Sequence, residues 1–396
     1  MTVLSKQISG YLDRASWIRK MFEAGTVLKA QYGEDAVCDF SLGNPDVPPP
    51  PAVAHGLRAL ADKAGDPFAI GYMANTGYPH ARAALAGHVS REQGVAVDAG
   101  DLIITCGAAG GINALLRAIL EPGDQVLGIA PFFVEYSFYT ENHGGTFAFA
   151  QAKPLTFQID FDALEAAITP GTRAVLINSP NNPSGAVYPA EDIAALGALL
   201  TRKSAANGRP IFLIADEPYR TLVYDDTAVP SILPHYPYGV VISSFSKSLS
   251  LAGERVGYVL LNPAMPDKQL LMNGLALTNR ILGFVNAPAI GQSLMVAALD
   301  AQVDVSIYAR RRDVMARVLD DAGFAYTMPK GAFYFFPEVP AKFQGDDVAL
   351  CAALQEQKIL AVPGRGFGCP GFFRLTFCVG EEVIERSAEG FKKAAA

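Results

Sequence analysis

The segment Val240-Val241-Ile242-Ser243-Ser244-Phe245-Ser246-Lys247 is an apolar run that breaks off into hydroxyls and a lysine. A run of aliphatic residues without polar alternation reads as a strand buried on both faces. The same reading applies upstream, at Leu102–Cys106, Gln125–Ala130, 174–177 and 211–215. Helical patterns separate several of these runs. Residues 190–207 place Ile193, Leu196, Leu199 and Leu200 on one face, and Gly208 supplies a stop. Strands alternating with helices predict an α/β fold with a mostly parallel sheet flanked by helices. Such sheets bind ligands beyond the carboxyl ends of their strands.

The chain has 396 residues, half of them hydrophobic, which suffices for more than one domain. A helical pattern over 288–323 leaves the sheet region, and Arg310-Arg311-Arg312 on it reads as a solvated face. Strand signals at 331–336 and 372–378 flank a helix at 346–358, which implies a smaller α+β domain. The expected division is 1–47, an N-terminal segment joining the small domain; 48–287, the large ligand-binding domain; and 288–396, the small domain. Pro48–Pro51 reads as a stiff link between the first two.

Composition excludes several functions. The net charge of −7 comes with no basic stripe, so no nucleic-acid partner is expected. No apolar stretch approaches membrane-spanning length. Met1 to Ser16 lacks an apolar secretory core. The five cysteines show no C-x-x-C spacing, and the five histidines are scattered. No metal is therefore expected, and the location expected is a reducing cytoplasm.

Chemistry-bearing residues follow the strand ends. Lys247, between hydroxyls and eight residues before Arg255, is placed to form an imine with an aldehyde. Ser244, Ser246 and Arg255 can hold a phosphate. Thr105-Cys106-Gly107-Ala108-Ala109-Gly110-Gly111 opens a helix, where backbone N–H groups and the helix dipole form a phosphate cradle. Asp216 ends an apolar strand, where a carboxylate needs a cationic partner such as a protonated pyridine. Tyr219 and Asn182 can reach a phenolic oxygen. Phe132 or Phe133, after Pro131, supplies a ring to stack on a planar ligand. These needs are jointly those of pyridoxal 5′-phosphate (PLP).

At this point the chain resembles the class I/II aminotransferases among the fold-type I PLP enzymes. The resemblance runs from Ser41-Leu42-Gly43-Asn44-Pro45 to Arg374-Leu375-Thr376-Phe377. Its most specific parts are Asn181-Asn182-Pro183-Ser184-Gly185, Asp216-Glu217-Pro218-Tyr219 and Ser244-Phe245-Ser246-Lys247 with Arg255. It implies that Lys247 holds the cofactor as an imine and shuttles a proton. Asp216 would pair with the ring nitrogen, Asn182 and Tyr219 would hold the ring oxygen, and Phe133 would stack on the ring. Ser244, Ser246, Arg255 and the backbone at Gly107 and Ala108 would hold the phosphate. Arg374, assisted by Gly43 and Asn182, would bind the substrate α-carboxylate, which suits a planar guanidinium. Tyr72 would reach the phosphate of a neighbouring subunit, so a homodimer with shared active sites is implied. The chain departs from many relatives at Ala108 and Ala109, which restricts phosphate contacts there to the backbone.

The expected activity is ping-pong transfer between an amino acid and a 2-oxo acid. C–S lyase or decarboxylase chemistry uses the same motifs, because the pocket selects the bond broken. A non-catalytic regulator would carry a DNA-binding pattern ahead of the fold, and none precedes the large domain here. Arg280, six residues before Asn286, is the candidate for gripping a distal substrate carboxylate across the dimer; the other reading is a surface ion pair.

Overall fold

The computed structural model describes residues 3–14 and 25–396. Its centre is a seven-stranded sheet in the order β2-β8-β7-β6-β5-β3-β4. The strands are β2 (Leu102–Cys106), β3 (Gln125–Ala130), β4 (Thr146–Gln151), β5 (Thr172–Asn178), β6 (Phe212–Asp216), β7 (Gly239–Ser244) and β8 (Val256–Leu261). All are parallel except β8, which runs against both neighbours. Successive residues serve opposite faces. Ile104, Leu127, Val175, Leu213 and Val241 enter one apolar cluster, while Ile103, Val126, Ala174, Ile214 and Val240 enter another. Two covered faces explain why these strands lack polar alternation.

The helix Ala190–Asn207 forms as the sequence implies, and Gly208 ends it at φ 67°. The pattern over 288–323 resolves into two helices, Ala289–Ala298 and Val305–Asp321. The break is fixed by Asp304, whose carboxylate caps Ser306 N at 3.0 Å. The arginine run on the second helix is not uniformly solvated. Arg312 is buried, ion-paired to Asp225 at 2.8 Å and stacked over Tyr224. Strands β4 and β8 were not expected from the sequence.

A separate cluster joins the two ends of the chain: Phe40 and Val47 pack with Met315, Phe335, Leu375, Ile384 and Phe391. There β1 (Cys38–Asp39) pairs in parallel with β10 (Ile359–Leu360). Next to that pair, β11 (Val362–Pro363), β12 (Phe373–Thr376) and β9 (Tyr334–Phe335) form an antiparallel sheet. Leu294 and Leu299 still belong to the large-sheet core, whereas Val303 belongs to the smaller one. The cores therefore change over between Leu299 and Val303, later in the chain than 287/288.

Candidate active site

A cavity of about 380 Å³ opens at the carboxyl edge of the large sheet, where the second core meets it. Asp216 ends β6 there with 6% of its surface exposed. Its Oδ2 accepts a 2.6 Å hydrogen bond from the Tyr136 hydroxyl. Asn178, at the end of β5, donates to the Asp216 backbone carbonyl at 2.8 Å. Among the described residues, Oδ1 is buried without a partner. Burial raises the carboxyl to about 7, against the lowering effect of the Tyr136 bond, and nearby Glu217 adds to the rise.

Lys247 lies on the short helix Phe245–Ser248, directly after β7. Its Nζ donates to the Gly43 carbonyl at 3.1 Å and stands 5.3 Å from the centre of the Phe333 ring. Burial lowers the amine to about 8; Cys378 opposes this, and the cations of Arg374 and Arg255 add to it. A lysine needs such lowering to present a neutral amine near physiological pH.

The phosphate turn is built by β8. Because β8 runs backwards, its first residue sits at the carboxyl edge of its neighbours, with Val256 opposite Cys106 and Gly257 opposite Ser244. Arg255 immediately precedes it and lies against Gly107, where a Cβ would come within 2.9 Å of the guanidinium. Gly107 opens the helix Gly107–Ile119 at φ +67°, a conformation that favours glycine. Ala108, Ala109, Ser244, Ser246 and Arg255 line the cavity, with Gly107 just behind.

Arg374, on β12, is 4% exposed. Its Nη1 donates to Asn182 Oδ1 at 3.1 Å, and Nη2 donates to the Ser41 carbonyl at 2.6 Å. The guanidinium is held between the rings of Tyr334 and Phe367, at 4.8 and 4.9 Å. Its Nε is buried without a partner among the described residues. Tyr219 and Tyr334 join their hydroxyls at 3.2 Å in the cavity wall. Gly43 leaves room for Tyr334, since a Cβ there would come within 2.7 Å of the ring.

Phe133 lines the cavity, whereas Phe132 packs in the core against Phe147 and Phe149. Tyr72 and Arg280 stand outside the cavity of their own chain and are exposed. They share one rim. Asn75 donates to Val285 O at 2.8 Å, and Asn279 donates to Asn75 O at 3.0 Å, tying the loop after Tyr72 to the helix Lys268–Ile281 that carries Arg280 and to the loop after it. Three contributors were missed by sequence reasoning in these roles: Tyr136, Tyr334 and Asn178. Tyr136 follows Phe133 by three residues, one helical turn, and that spacing is the only local signal for it.

A strand-end lysine, a buried acid and a buried arginine around one cavity define an enzyme site of the α/β type. The family model for aminotransferase class I and II matches residues 35–391. An aspartate aminotransferase of Streptomyces avermitilis is 30% identical, with 90% of this chain and 88% of that protein aligned. A probable aspartate/prephenate aminotransferase of Aquifex aeolicus is 30% identical over 90% of this chain and 91% of its own. A crystal structure of an amino transferase from Eubacterium rectale superposes with a TM-score of 0.93 at 39% identity, covering 100% of this chain and 98% of that one. The Thermus thermophilus aspartate aminotransferase with maleate gives a TM-score of 0.85 at 26% identity, covering both chains fully. The chain belongs to the class I and II aminotransferases. It is a transaminase acting between amino acids and 2-oxo acids.

Proposed function

We propose that this aminotransferase works with PLP bound in the cavity at Lys247. The observation that carries the reading is the pair of unsatisfied atoms. Among the described residues, Asp216 Oδ1 is a buried acceptor without a donor, and Arg374 Nε is a buried donor without an acceptor. Buried polar atoms without partners are costly, so each marks a place for a ligand group. A protonated pyridine nitrogen suits the first and a substrate carboxylate the second. When bound, the cofactor supplies a carbonyl that takes up an amine and a ring that withdraws electrons.

The protein's share is assigned as follows. Lys247 carries the cofactor covalently, and its Nζ then takes and returns the proton at the substrate Cα. Asp216, held by Tyr136, keeps the ring nitrogen protonated. Asn182 and Tyr219 bond the ring oxygen, and Phe133 covers one ring face. Ser244, Ser246, Arg255 and the backbone of Gly107 and Ala108 hold the phosphate. Arg374 grips the α-carboxylate with Gly43 and Asn182 beside it. The working unit is a homodimer in the cytoplasm, with Tyr72 completing a second copy's site. Exposed apolar residues beside Tyr72 support a covered face: Tyr72 is 95% and Phe68 90% exposed.

The test is borohydride reduction of the yellow protein, followed by peptide mapping. The label should fall on the peptide that contains Lys247. A label on any other lysine, or none, would defeat the assignment. Release of ammonia and a 2-oxo acid from one amino acid, without an acceptor, would instead mark a lyase.

A further inference from the structure

Once the ionised groups of the cavity are assigned, one is left over. Arg255 is placed for the phosphate, Arg374 for the α-carboxylate, Lys247 for the carbonyl carbon and Asp216 for the ring nitrogen. Glu135 has no such assignment. It is half-buried, lines the same cavity and opens the helix Glu135–Asn142 beside Tyr136 and Tyr139. No hydrogen bond or ion pair ties its carboxylate to another described residue. The neighbouring wall from the helix Gly107–Ile119 offers only Ala108, Ala109 and Ile112, which carry no charge. A second cavity of about 380 Å³, near His88 and Arg91, shows the contrast. Its Glu217 is closed off by Arg220 and Gln93, both at 2.8 Å.

A carboxylate at a helix N-terminus gains from the helix dipole, which accounts for an acid in the first turn. It does not account for an acid in a ligand cavity with no cation bonded to it among the described residues, where desolvation disfavours it. The substrate's α-amine and α-carboxylate are taken by Lys247 and Arg374. Only its side chain remains free to meet Glu135.

We infer that Glu135 selects the amino donor, and that the preferred donor carries a cationic distal group, such as an amine or guanidinium, rather than a second carboxylate. The inference rests on the PLP-aminotransferase reading above. A distal cation supplies the missing counter-charge, whereas a distal carboxylate meets like charge.

The test follows the cofactor absorbance of the holoenzyme in single half-reactions with L-lysine, L-ornithine, L-norleucine and L-glutamate. In the wild type, kcat/KM should favour lysine or ornithine over norleucine, with glutamate last. Glu135→Gln should lower the cation-to-norleucine ratio about ten- to hundredfold, the range for one hydrogen bond to a charged group. Glu135→Lys should move glutamate ahead of lysine. An unchanged ratio in Glu135→Gln, or a wild type that favours glutamate over norleucine, overturns the inference while the transaminase reading stands. If neither these donors nor aspartate, alanine and phenylalanine change the absorbance, the reading of PLP at Lys247 falls and this inference with it. Should the Glu135 variants fail to fold, the wild-type order of lysine, norleucine and glutamate decides alone.

Discussion

The Tyr136 hydroxyl donates a 2.6 Å hydrogen bond to one oxygen of Asp216, a residue of the cavity wall, and leaves the other oxygen buried without a partner among the described residues. The carboxylate is thus held by the protein on one side and offered to a ligand on the other. Tyr136→Phe leaves a buried acceptor without its donor, at a cost of about 1–3 kcal/mol. Cofactor affinity at pH 7 should fall about tenfold on that account. Equilibrium dialysis of the variant against PLP checks this, and unchanged affinity would rule out a positioning role for Tyr136.

Asp216 also sets a pH dependence in the cofactor-free protein. Its carboxyl stands at about 7 when folded, above the ordinary 3.8. Between these values the folded state holds a proton that the unfolded chain has lost. Stability should therefore decline as pH rises through that window. Asp216→Asn removes the ionisation, so its melting temperature should respond less to pH between about 4 and 7. A variant that tracks the wild type across the window would show that another group carries the effect.

Lys247 has the opposite shift, lowered to about 8 by burial and by Arg374 and Arg255. Attack on an aldehyde needs the neutral amine. Stopped-flow capture of PLP should speed up roughly tenfold per pH unit below about 8 and level off above it. Lys247→Ala should still take up PLP without a covalent bond and lose turnover by several orders of magnitude. Capture that is flat from pH 6 to 9 would contradict a lowered amine.

How much of this was legible in the sequence follows from what is local. The ends of β6 and β7 could be read because each is a fully buried run that stops at a polar residue. The place of Arg255 depends on β8 doubling back between β2 and β7, and nothing local marks that reversal. Gly257 within β8 shows the constraint afterwards. A Cβ there would come within 2.7 Å of Gly107, so the apolar run must carry a glycine. β4, at the sheet edge, is mixed in burial and gave no clean period. Tyr136 and Tyr334 read as core aromatics, because their roles arise only where two separate elements meet. The choice between Phe132 and Phe133 needed the third dimension for the same reason.

The exposed face around Tyr72 and Phe68 makes assembly testable. Sedimentation should show a dimer at working concentration. Hybrids of Tyr72→Phe and Lys247→Ala subunits should contain one undamaged site and one doubly damaged site. Activity should therefore reappear on mixing with Lys247→Ala, above the sum of the two parents. A fully active monomer would defeat the shared site.

Arg280, like Tyr72, is exposed outside the cavity of its own chain, so its role turns on the dimer. The sequence offered it as the grip for a distal carboxylate reaching across a dimer. In its own chain it is exposed near the end of the helix Lys268–Ile281 and lines no part of the cavity. Glu135, of the opposite charge, does line the cavity, with no hydrogen bond or ion pair to another described residue. Arg280→Ala is accordingly expected to leave the ratio of aspartate to alanine turnover within about twofold, as for an exposed charge. A direct bidentate contact with a distal carboxylate would give a different result. Its removal would cost on the order of 2–5 kcal/mol for acidic donors alone. The measurement is kcat/KM for both donors in both proteins. A selective loss on aspartate of about thirtyfold or more would restore the dicarboxylate reading and count against the assignment of Glu135.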